Sequence, residues 1–302
     1  MSRAAPAPGV RIALSAQLAY RVGAGGADFV FNIHPAHTAC QSVSAEQLRI
    51  SQPVAADIQT EPATGNRYLR LRAEPGDLFV AYSATVDLHH HRAPPDALTE
   101  LPIHRLPLEA IGYIYPSRYC ESDRLVAMAT KQFGSLAPGY RRVQAIMQWV
   151  RQQVTYTSNT SSSRTTAVET LIDQVGVCRD FAHLMIALCR AVNIPARFAT
   201  GTDYGADPAI GPPDFHAYVE VYLGDRWYIV DPSGTGIPMG FVRIGTGRDA
   251  ADVAFATIFG AVESSAAPRV SAVAVVDPAR GLGWPVHGEE ALSTDAGRAV
   301  PG

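Results

Sequence analysis

Three residues of this chain have types and settings that could do chemistry together: Cys178, His216 and Asp231. GVCRDFAHLMIALCRA, residues 176–191, sets Cys178 immediately before a long apolar run. On a helix turning about 100° per residue, Phe181, Leu184, Met185, Leu188, Cys189 and Val192 fall in one broad arc. Arg179, His183 and Arg190 form a narrow polar stripe opposite. A helix this apolar is largely buried. Its first turn carries backbone N–H groups without helical partners and the positive end of the dipole. Both favour a thiolate over a thiol at Cys178.

The partner for such a thiolate is found downstream. HAYVEVYL alternates, with Ala217, Val219, Val221 and Leu223 on one face and His216, Tyr218, Glu220 and Tyr222 on the other. WYIVD ends at Asp231, just before Pro232, and Gly224-Asp225 marks the turn between the two runs. The start of a hairpin's first strand lies beside the end of its second. His216 and Asp231 are therefore expected to be neighbours. Each residue alone has a plainer reading: a small core thiol, a surface or core histidine, a turn aspartate. Cys40, Cys120 and Cys189 keep that plainer reading. Jointly, the three supply a nucleophile, an imidazole to move its proton, and a carboxylate to orient the imidazole.

These blocks carry a resemblance. GVCRDFAHLMIALCRAVNIPARFATG, DFHAYVEVY and WYIVDPS, in this order, resemble the transglutaminase-like superfamily of cysteine enzymes. The likeness runs from about residue 117 to 262 and includes GRDAADVAFATIFG. Residues 10–88, with GNRYLRLRAEPGDLFVAYSATVDL, resemble the region preceding this domain in bacterial members. The resemblance implies a papain-like α/β core with Cys178 as nucleophile, His216 as base and acid, and Asp231 as orienting carboxylate. One departure is Tyr218, where the family often has Trp after His-Ala; it bears on substrate preference. Oxyanion donors are expected from the Cys178 N–H and a side chain of the 156–166 loop, Tyr156 or Asn159. Tyr218, Asp214 and Tyr156 are the candidate substrate contacts.

The elements that must position these residues follow from pattern. Residues 10–88 read as strands rich in β-branched and aromatic residues, broken by turn signals at 65–66 and 75–76. Residues 89–117 hold five prolines and read as a connector, with the three histidines 89–91 as its solvated end. From Ser122, a plausible N-cap, the texture becomes helical; Val143, Ile146, Met147, Val150 and Val154 share a helical face. AVETLIDQVG reads as a short helix closed by Gly176. The expected fold is α+β: an N-terminal antiparallel β-sandwich over 1–105, a papain-like core over 106–288, and a disordered tail over 289–302.

Composition bounds the function. The 302 residues are 47% hydrophobic and 18% charged with net charge −3, which suits a soluble globular protein. No basic field would attract nucleic acid or an anionic membrane, and no segment approaches the roughly 20 apolar residues of a membrane span. Four scattered cysteines without a CxxC pair speak against a zinc knot. No metal, cofactor, nucleic acid or membrane partner is expected, and a cytoplasmic location is the simplest reading. The expected substrate is a peptide, protein or other amide, cleaved through a thioester, with water as the preferred acceptor. Transfer to an amine and a non-enzymatic binding or assembly module are the alternatives. The oligomeric state stays open.

Overall fold

The computed structural model describes residues 9–206 and 214–297. Its first half is a β-sandwich built from strands β1 (Val10–Val22), β2 (Ala27–His34), β3 (Gln41–Ile50), β4 (Ala56–Thr60), β5 (Arg67–Ala73) and β6 (Gly76–Leu88). Alternation drives it. Ile12, Leu14, Leu18 and Tyr20 of β1 and Leu78, Val80, Tyr82 and Val86 of β6 point inward, against Phe29, Phe31 and Ile33 of β2 and Leu69 and Leu71 of β5. Each such side chain contributes about 1.5–3 kcal/mol by leaving water.

A connector follows. It contains β7 (His91–Ala93) and the single turn α1 (Leu108–Ile111), and leads to helices α2 (Ser122–Phe133) and α3 (Tyr140–Gln153). Next come β8 (Thr155–Tyr156), α4 (Ala167–Asp173), β9 (Val175–Gly176) and α5 (Cys178–Ala191). Helix α5 is the axis of the second half and is buried from Asp180 to Ala191. Leu125 and Phe133 of α2, Val143, Ile146 and Val150 of α3, and Ala167 of α4 surround it on one side. On the other lies an antiparallel sheet of β10 (Ala196–Thr202), β11 (Phe215–Leu223), β12 (Arg226–Val230) and β13 (Val242–Gly247), in the order β12-β11-β10-β13.

The sheets correct the expected division of the chain. Strands β14 (Ala256–Phe259) and β15 (Val262–Ala274) do not stay with the second half. They return to the sandwich, which consists of two four-stranded sheets, β15-β1-β6-β3 and β14-β2-β5-β4. The reason is edge pairing: β1 and β2 would otherwise present open ladders, and Ile12–Val22 pairs along Val262–Ala274. The expected disordered tail is corrected too. Residues 289–297 are placed, with β16 (Ala291–Ser293) pairing with β7, so His91 is part of a ladder rather than a solvated linker end. Residues 298–302 lie outside the described residues.

Asp295 explains why the end is held. Arg197 and Glu220 face each other across β10 and β11, and Arg243 stands beside them on β13. Glu220 accepts from Arg197 Nε at 2.7 Å. Asp295 accepts from both Arg243 terminal nitrogens, at 3.0 and 2.9 Å, and also pairs with Arg197. Two buried guanidiniums thus meet two carboxylates. Burial would raise the Asp295 carboxyl, but Arg197 and Arg243 hold it well below the usual carboxylate range.

Asp295→Asn leaves two buried cations with one carboxylate. We expect a loss of about 2–3 kcal/mol at pH 7, measured by denaturant unfolding, since removing one partner of a buried pair is costly. The folded pKa is depressed. The contribution is therefore present above the unfolded Asp value of about 3.9 and is lost as pH falls toward the folded value. The wild-type and D295N stabilities should converge in strong acid.

Candidate active site

Cys178 opens α5, half-buried, and the chain around it is held by a neighbouring carboxylate. Asp180, fully buried, accepts from the Val177 N–H at 2.9 Å and from Ser161 Oγ at 2.8 Å. One carboxylate thus caps the helix and ties the 157–166 loop to it, in the first turn where negative charge is favoured. Arg179 adds a bond to the Ser162 carbonyl at 2.7 Å. Gly176 makes this approach possible: a Cβ there would meet Asp180 Cβ at 2.7 Å. This revises the role expected for Gly176 as a helix stop. Gln174, in the left-handed region at φ 56°, closes α4 instead.

The hairpin brings the other two residues together. Val219 pairs with Val230 and Leu223 with Arg226, so Asp231 lies one residue past the last paired rung and His216 three residues past it, at the same end of the hairpin. His216 Nε2 is 3.4 Å from Asp231 Oδ1, with both side chains buried. That separation suits an ion pair and is long for a well-formed hydrogen bond. Asp231 Oδ1 is also held by Ser233, through its N–H at 3.0 Å and its hydroxyl at 2.7 Å. Arg151 of α3 grips the Asp231 carbonyl at 2.5 Å. With Nε2 turned to the carboxylate, Cys178 is the other group that acts on the ring.

Electrostatics at His216 are a contest between burial and charge. Burial works to lower its pKa; Asp231 and, less strongly, Cys178 overcome it and raise the imidazole to about 10. For Asp231 burial works upward, and His216, Ser233 and Arg151 bring it below its ordinary value. The aromatic wall is Phe241, 4.7 Å from the His216 ring centroid, with Tyr218 at 6.3 Å.

Cys178 and His216 open on a cleft of about 650 Å³. Asp214 is exposed and lines it, as does Asn159. Tyr156 packs its ring 6.1 Å from that of Phe181 on α5, and burial raises its hydroxyl to about 12, with Cys178 adding to the shift. Tyr218 corrects the expectation of a substrate contact. It is fully buried and packs with Ala199, Ile229 and Phe241 under Leu292 of β16. Strand alternation sends its side chain to the face that β16 covers. Sequence reasoning also passed over Ser233, Arg151 and Asp180, which position the site from outside it. Asp180 had one legible signal, an acidic residue in the first turn of an apolar helix.

Residues 126–232 match the family described as the transglutaminase-like superfamily, and residues 10–109 match the bacterial transglutaminase N-terminal domain. A proposed cysteine protease from Cytophaga hutchinsonii, known as a crystal structure, is 35% identical, with a TM-score of 0.85 over 94% of this chain and 97% of that one. The chain belongs to the transglutaminase-like superfamily. A Mycobacterium leprae relative, an uncharacterised protein, is 27% identical over 145 residues, 47% of this chain and 52% of the relative. A Mycobacterium tuberculosis relative, also uncharacterised, is 34% identical over 110 residues, 33% of this chain and 35% of the relative. The chain thus spans about half the length of the first and a third of the second. Among the described residues no helix is long and apolar enough to cross a membrane.

The His216 shift yields a test. A pKa raised from about 6.5 in the unfolded chain to about 10 gives stability that is complete below pH 6.5 and lost as pH rises through 10. By NMR the wild-type His216 ring should remain protonated at pH 8. In Asp231→Asn only the weaker effect of Cys178 opposes burial, and the ring should lose its proton at a clearly lower pH than in the wild type.

Proposed function

We propose that this protein is a cysteine-dependent acyl-transfer enzyme that cleaves amide bonds of peptides or proteins. The observation that carries the reading is a buried His216–Asp231 pair, 3.4 Å apart, with His216 lining the same cleft as the half-buried Cys178 at the start of α5. In the proposed cycle the Cys178 sulfur attacks the amide carbonyl as a thiolate paired with the His216 imidazolium. The developing oxyanion meets the Cys178 N–H and the Tyr156 hydroxyl, which its raised pKa keeps protonated. His216 gives its proton to the leaving nitrogen, the C–N bond breaks, and a thioester remains. Water then attacks the thioester as His216 takes one of its protons; the C–S bond breaks, the acid is released, and the Cys178 thiolate and His216 imidazolium pair is restored. Asp231 keeps the ring oriented and stabilises its charged form throughout.

Hydrolysis is preferred to amine transfer because water is always present, while among the described residues no feature of the cleft marks a second, amine-binding site.

The test is incubation with β-casein, with and without excess ethanolamine, read by mass spectrometry. Hydrolysis predicts new termini or hydrolysed side-chain amides that persist with the amine present; transfer predicts the amine adduct. Cys178→Ala should abolish either product. Tyr156→Phe should lower kcat by about 100-fold, the scale for losing one oxyanion donor. Undiminished turnover in C178A contradicts the proposal.

A further inference from the structure

The sandwich reaches across to the catalytic sheet with three side-chain amides, and they behave differently. Gln41 of β3 grips Arg243 of β13: its Oε1 accepts from the Arg243 N–H at 2.8 Å and its Nε2 donates to the Arg243 carbonyl at 2.8 Å. Asn66 grips Thr246 in the same way, accepting from its N–H and donating to its carbonyl, both at 2.8 Å. Asn32, on β2, reaches Gly245, one of the two residues between them. A Cβ on Gly245 would meet Asn32 Nδ2 at 2.6 Å, so only glycine leaves the amide room. The Asn32 side chain is 1% exposed, yet neither Nδ2 nor Oδ1 has a hydrogen-bond partner among the described residues.

A second orphan lies alongside. Thr200 of β10 pairs with Gly245 on one side and with Ala217, the residue after His216, on the other. Its hydroxyl is also buried and unpartnered. Asn32 and Thr200 both line the cleft that holds Cys178 and His216. The strand pattern explains the direction of Asn32: Phe29, Phe31 and Ile33 fill the sandwich core, and the residue between the last two points out of it. Buried polar groups are almost always satisfied, and leaving them open costs stability. Such costs are tolerated where a ligand collects the bonds.

We propose that Asn32 and Thr200 form a subsite, one rung deeper than His216, that binds an amide group of the substrate. The donor and acceptor of Asn32 match the C=O and N–H of an amide, the group that Gln41 and Asn66 already grip on β13. The sandwich thereby contributes directly to substrate recognition. The subsite deepens the amide-cleaving reading and rests on it for the identity of the substrate. The amide can come from a peptide main chain or from a carboxamide side chain.

Calorimetric titration of Cys178→Ala separates binding from catalysis. The probes are acetyl-hexaalanine amide, which offers main-chain amides, and the same peptide with one central alanine replaced by glutamine. We expect Asn32→Leu, added to C178A, to weaken binding about tenfold or more, the scale of two lost hydrogen bonds. Its melting temperature should not fall, because an unpaired amide is removed. Thr200→Val, nearly isosteric, should also weaken binding and stands in if Asn32→Leu fails to fold. Loss for both peptides indicates the main chain as the source; loss for the glutamine peptide alone indicates the side chain. Binding unchanged by these substitutions, or no binding of either peptide to C178A, overturns the subsite. In the wild type, turnover with an unchanged KM in N32L would remove the subsite and leave the catalytic reading standing. Binding that depends on Asn32 without any turnover would do the reverse.

Discussion

A buried imidazole keeps its charge only where a carboxylate is held beside it, and much of this fold serves to hold one. Desolvation alone would leave His216 neutral. Asp231 reverses that outcome. It does so from the end of β12, where the hairpin register, Ser233 and the Arg151 grip on its carbonyl fix it in place. The same logic applies at Cys178. Asp180 and Gly176 set the helix start, and the apolar body of α5 fixes its direction. The three side chains come from three elements, and each element is anchored by contacts outside the cleft.

The two halves of the molecule are interlocked rather than merely joined. Strands β14 and β15 leave the catalytic half and complete both sheets of the sandwich. Gln41 and Asn66 hold β13 by its backbone. The last described residues return under the catalytic sheet, where Asp295 balances Arg197 and Arg243. This arrangement ties the positions of His216 and Asp231 to the sandwich. It also brings Asn32, a residue of the sandwich, into the lining of the cleft.

Much of this was legible in the sequence because it rests on periodicity. The alternation of 215–223 predicts a strand, the 224–225 turn predicts its hairpin, and together they bring His216 to the same end of the hairpin as Asp231. The apolar arc of α5 and the face of α3 were equally clear. The failures have a common cause. Strand β15 is mostly exposed and joins β1 through backbone hydrogen bonds, which leave no side-chain pattern. The polar tail looks solvated until Asp295 meets two arginines distant in sequence. Tyr218 was placed on the correct face, but what covers that face, Leu292, lies far along the chain. Gly176 looked like a helix stop because its constraint comes from Asp180, across space.

The most direct test of an activated Cys178 is iodoacetamide labelling of the native protein across pH 4–9, with peptide mass spectrometry resolving all four cysteines. Cys120 and Cys189 are buried, and burial raises both thiols, so they serve as inert controls; Cys40, half-buried like Cys178, is the reference for accessibility. The account predicts that Cys178 labels at least tenfold faster than Cys40 near pH 6, and that His216→Ala abolishes the difference. Labelling of Cys178 no faster than that of Cys40, or unaffected by His216→Ala, would contradict it.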